Sequence, residues 1–218
     1  MTDELKKGMK LIKYGFNLKS SILVGILVFI SGIVFIVVDH ETFLIGGTFI
    51  MLGPMMLIQI VFTLLCANSV AASPKKRVLE MWIPNLVEFV IAVFTYIVVI
   101  AITLLKIYET HKTPELENGY LKNLVCMGIM GCILIIYMSI AYKYFFMSIL
   151  FGGFAYVYFV ISDILLPLIK FRLTIVTASL IGFCFIILGS VMSLMLSKAF
   201  YKKPVSKYAI GGALRKYM

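Results

Sequence analysis

The chain has 218 residues, of which 62% are hydrophobic and 14% charged, whereas soluble domains are about half apolar and about a quarter charged; one core of this size cannot hide the excess, so lipid must solvate much of the surface. The net charge of +10 does not indicate nucleic acid, because the basic residues flank apolar runs instead of covering one face of a globule. Alternating ten-residue segments of the barrel type are missing, so helices are left to satisfy the backbone in a bilayer, and the expected fold is an all-α membrane protein forming one transmembrane domain over residues 1–218.

At the N-terminus, Leu5, Met9, Ile12 and Phe16 recur at three- and four-residue spacing, with Lys6, Lys7, Lys10 and Lys13 mostly on the other side. Residues 1–19 are therefore expected to form an amphipathic helix in the inner membrane interface, the Lys heads toward anionic lipid; the competing reading is a disordered basic tail. No cleavable signal peptide is expected, since five lysines precede the first apolar run and no small-residue cleavage site follows it. A bilayer core takes roughly 20 apolar residues in a helix. Six runs meet that length, at 21–38, 43–66, 86–105, 124–142, 145–169 and 173–196. Residues 197–218 read as a basic cytoplasmic tail.

Orientation follows from the basic residues between the runs. With both termini inside, fifteen of the twenty Lys and Arg fall in inner segments, which is the bias that places them in the cytoplasm. The outer loops agree. Asp39, His40 and Glu41 form a short polar turn, and the longest outer loop, 109–123, carries Glu109, Glu115 and Glu117 with expected turns at Pro114 and Asn118-Gly119. Gly189 with Ser193, and Ser21 with Gly25, have the small-xxx-small spacing that lets helices approach closely.

Catalytic signatures are not found. The phosphate-binding loop, the zinc-protease HExxH and the GxSxG elbow are all absent, so the chain is not expected to be an enzyme and no cofactor or metal is expected. His40 and His111 lie in outer loops without partners at ligand spacing. Cys66, Cys126, Cys132 and Cys184 sit in or beside apolar runs and read as small apolar residues. Asp163 is the clearest acid within a run. It either lines a pathway at a break in the fifth span or caps a helix that ends before Pro167 near the outer interface. Glu88 opens the third span at its inner end, far from Asp163, so the two do not form a proton relay.

The inner segment 73–82 has mechanical logic. Ser73 can cap a helix and Pro74 suits its first turn. Val78, Met81 and Trp82 offer an apolar side while Lys75, Lys76 and Glu80 stay wet, and Pro84 ends the helix before span three. A short cytoplasmic helix joined to spans two and three could pass on a push from a soluble partner; alternatively the segment only sets topology.

The whole layout resembles a small bacterial permease subunit of the ABC-2 type family of ABC transporters. The likeness lies in the order of parts: an amphipathic helix before span one, the basic segment Ser73, Pro74, Lys75, Lys76, Arg77 to Glu80 and Trp82, a fifth span broken by Asp163 and Pro167, a very short connection to span six, and a basic tail. The resemblance implies that 73–82 is a coupling helix docking on a separately encoded ABC ATPase subunit, which would bind the ATP. It also implies a re-entrant outer element at Asp163 and Pro167, a second permease subunit, identical or different, and residence in the bacterial cell membrane. Export of peptides or other amphipathic or hydrophobic substrates would be the activity. The rival reading is a polytopic immunity or scaffold protein that transports nothing.

Overall fold

The computed structural model describes residues 18–38, 43–65, 77–109, 114–141, 144, 153 and 173–201. The described elements are all helical: α1 (Leu18–Val38), α2 (Phe43–Leu65), a π-helical turn (Val78–Trp82), α3 (Ile83–Glu109), α4 (Pro114–Ala141) and α5 (Ile175–Phe200). Four stretches among the described residues are long and apolar enough to cross a membrane: Lys19–Val37, Glu80–Glu109, Leu116–Ala141 and Ile175–Phe200. Helix α2 supplies the shorter apolar segment Phe43–Met55. At 1.5 Å per residue the 27 residues of α3 extend about 40 Å, more than the ~30 Å hydrocarbon core. The expected run at 145–169 lies outside the described residues except for Gly153, and the interfacial helix and basic tail lie almost wholly outside them.

Two helix pairs are closely packed, α1 with α2 and α4 with α5, and α3 sits between them against α2, α4 and α5. Small residues make both seams. A Cβ on Gly53 would stand 2.6 Å from the carbonyl oxygen of Gly25, and one on Gly189 would stand 2.8 Å from Cys132 Cα. Gly128 and Gly182 meet in the same way across α4 and α5. Such seams replace the hydrophobic drive that lipid cannot supply between helices with van der Waals contact. Of the two expected small-residue pairs, Gly25 thus lies in the α1–α2 seam, and Gly189 and Ser193 lie against α4, while their partners Gly53, Cys132 and Ser139 carry no such spacing signal.

The inside of the bundle holds Ile50, Met51, Met55, Tyr96, Leu124, Met127 and Ile135, all fully buried. The outside is equally apolar: Leu23, Leu27 and Val34 on α1, Phe94 and Leu105 on α3, and Val176, Leu180 and Met195 on α5 are exposed. A continuous apolar exterior of this extent needs lipid around it.

Two expected boundaries are corrected. The turn foreseen at Pro114 and Asn118-Gly119 is helix, because α4 starts at Pro114, where a proline's missing N–H costs nothing. Asn118 instead accepts a hydrogen bond from the Leu173 N–H at 3.2 Å and ties the start of α5 to α4. Thr174 then caps α5 in a reciprocal pair with Thr177. At the other end of the bundle, Pro84 does not separate a short helix from span three. The chain is helical from Arg77 onward through Pro84. The Ile83 N–H bonds the Val78 carbonyl, five residues back; this wider turn makes room for a proline ring that would clash with the carbonyl four residues earlier in a regular helix.

Candidate functional site: a buried polar cluster between three helices

Five polar side chains meet inside the bundle near the start of α3. Asn85 and Glu88 are three residues apart and so share a face of α3; Ser193 and Ser197, four apart, share a face of α5; Ser139 comes from α4. All five are buried, Glu88 to 1% exposure. Polar groups so placed are costly unless hydrogen-bonded, and in a membrane protein they mark function by default.

The bonds are specific. Asn85 Nδ2 donates to the Met81 carbonyl at 2.5 Å and to Ser197 Oγ at 3.1 Å. Both amide hydrogens are thereby used, which turns Oδ1 toward Ser193. Ser193 Oγ lies 2.5 Å from Asn85 Oδ1 and 3.0 Å from Glu88 Oε2, and it also contacts Ser139 Oγ. Ser139 Oγ is 3.3 Å from its own helix's Ile135 carbonyl. Glu88 Oε1 is buried with no hydrogen-bond partner among the described residues.

Further along α3, Tyr96 fills the middle of the bundle. Its hydroxyl lies 3.3 Å from the Leu124 carbonyl on α4 and 3.4 Å from the Ala178 carbonyl on α5, and its ring meets Phe183 edge-on. At the far end Lys106 is buried, donating to the Val37 carbonyl at 3.5 Å and pairing with Glu109 at 3.2 Å. A cation there suits the negative end of α1. Elsewhere along α3, a groove of about 650 Å³ runs between α1, α2 and α3, lined by Ile22, Phe29, Pro54, Val61, Val90 and Phe94.

The expected coupling residues divide. Ser73, Pro74, Lys75 and Lys76 lie outside the described residues, as do Asp163 and Pro167. Arg77 is exposed and Trp82 is 40% exposed. Glu80, expected to stay wet, is 3% exposed: the π-helical turn packs against both α3 and α5, which carries this side chain inward. Nothing in the sequence pattern distinguishes Ser139 or Ser197, and Ser193 reads there as a small residue of a packing pair. The signal for Asn85 was present, since Asn85-x-x-Glu88 puts two polar side chains one turn apart in an apolar span. Among the described residues no three His, Cys, Asp or Glu side chains come together as a metal site. Comparison with protein-family models, curated proteins and solved structures finds no match to the chain.

Proposed function

We propose that the chain is the permease subunit of a bacterial ABC-2 type exporter, a six-span membrane protein with both termini in the cytoplasm. A separate ABC ATPase subunit drives it, a second permease subunit completes it, and peptides or other amphipathic molecules are its substrates. One observation carries the reading. The turn at Val78–Trp82 runs unbroken into α3 and packs on α5, so a push on the basic segment before it would reach the polar cluster through one stiff element. Arg77 is exposed at the start of that element, as a docking residue has to be.

The test is co-purification from membranes with Lys75, Lys76 and Arg77 changed together to Ala, followed by ATP-driven efflux from proteoliposomes. The proposal expects correct insertion, loss of a P-loop ATPase partner and loss of efflux. An unchanged partner and unchanged function would mean that the segment only sets topology, and would favour a non-transporting immunity or scaffold protein.

A further inference from the structure

Counting hydrogens in the polar cluster leaves one unaccounted for. Asn85 Oδ1 is held as an acceptor, because turning the amide over would set its oxygen 2.5 Å from the Met81 carbonyl oxygen. Ser193 has one hydroxyl hydrogen and two lone pairs. Ser139 carries its own hydrogen and can donate to Ser193, so of the two contacts to acceptors the shorter, 2.5 Å to Asn85 Oδ1, takes the Ser193 hydrogen. Ser193 then presents only lone pairs to Glu88 Oε2 at 3.0 Å. An ionised Glu88 is likewise acceptor-only, so two acceptors would face each other in a buried site. A hydrogen on Glu88 Oε2 resolves the conflict: Glu88 donates to Ser193, Ser193 donates to Asn85, and Ser139 donates into the second lone pair of Ser193.

Among the described residues nothing substitutes for that hydrogen. Ser193 from α5 meets Glu88 directly, and Ser139 from α4, Asn85 from its own helix and Ser197 from α5 join the cluster through Ser193 or Asn85. Glu80 lies eight residues earlier, and Lys198, next along α5, is exposed. No described cation pairs with Glu88; its one hydrogen-bond partner among the described residues is Ser193. A calcium-sized ion fits poorly, because oxygens that share it each stand about 2.3–2.6 Å from it and so lie farther apart than the hydrogen-bonded oxygens found here.

We propose that this cluster is a proton-binding site, in which one proton on Glu88 latches α3 to α5 through Ser193. With the proton bound, every contact of Ser193 is a hydrogen bond. Release leaves a buried carboxylate against a serine lone pair and loosens the α3–α5 contact. The latch is closed at low pH, and its stabilisation is lost as pH rises past the point of release. The inference does not depend on an ATPase partner.

The test uses the full chain in lipid nanodiscs. Infrared difference spectra between wild type and Glu88→Gln at neutral pH should show the C=O stretch of a protonated carboxylic acid, and Ser193→Ala should shift that band. Thermal unfolding of wild type should weaken from neutral to alkaline pH, whereas Glu88→Gln, a neutral side chain of the same shape, should stay level over that range. If Glu88→Gln does not fold, the shift with Ser193→Ala decides. Absence of the band at neutral pH overturns the proposal. So does stabilisation by sodium chloride over potassium chloride that vanishes in Glu88→Gln, which would mean a metal-cation site.

Discussion

Ser193 and Ser190 stand three residues apart on the same helix with different tasks. Among the described residues Ser190 Oγ bonds only the Ile186 carbonyl of its own helix, and the backbone hydrogen bonds there do not depend on it. Ser193 joins three helices at one oxygen. Ser193→Ala should therefore cost about 1 kcal/mol, near the upper part of the range for hydrogen bonds between membrane helices, while Ser190→Ala should be close to neutral. Thermal unfolding of both variants in the same lipid, side by side, checks the difference. Reactivity offers a second residue-scale prediction. Cys184 is exposed on α5, whereas Cys126 and Cys132 are buried. In a Cys66→Ser background a membrane-permeant maleimide should modify Cys184 fastest; equal labelling of Cys132 would contradict the α4–α5 seam. At this scale the sequence was only half legible. Asn85 and Glu88 announce themselves by spacing along one helix, but Ser193 lies more than a hundred residues away, and nothing in periodicity says which serine crosses a helix interface and which bonds its own backbone.

The seams between helices are fixed by what is missing from them. At Gly189 any side chain must displace the backbone of α4 at Cys132, which a flexible neighbour cannot relieve. Gly189→Leu should lower stability by about 1–3 kcal/mol, read as a drop in the unfolding midpoint of the reconstituted protein. Leucine at Gly119, where an added Cβ meets no atom within 4 Å, should be tolerated. Helix positions were well signalled by the apolar runs, and the described helices overlap five of the expected spans. Helix ends were not, and both errors involve proline. Pro114 and Pro84 look like breaks in a sequence, yet a proline at a first turn starts a helix, and one beside a π-helical turn is absorbed by it.

For the whole molecule, the apolar exterior makes lipid part of the fold. The single tryptophan, Trp82, sits 40% exposed at the end of the membrane-length stretch Glu80–Glu109. In vesicles its emission should be quenched by a lipid carrying the quencher near the headgroup, and far less by one carrying it at the bilayer centre. Strong quenching from the centre would mean that α3 sits at a different depth. If both termini lie inside, a water-soluble quencher should reach Trp82 only from the cytoplasmic side.

The wide turn at Val78–Trp82 has a consequence in simple angular terms. Each residue in an α-helix turns the chain by about 100°, and a π-turn holds one residue more than a regular turn. Deleting Leu79 would let the segment close into ordinary helix, and because four regular steps sweep about as far as the five steps of the wide turn, Arg77 would keep its direction around the axis of α3. The wide turn thus holds one residue that the aim of Arg77 does not need, and a one-residue deletion there should be tolerated where the same deletion in regular helix would re-aim Arg77 by about 100°.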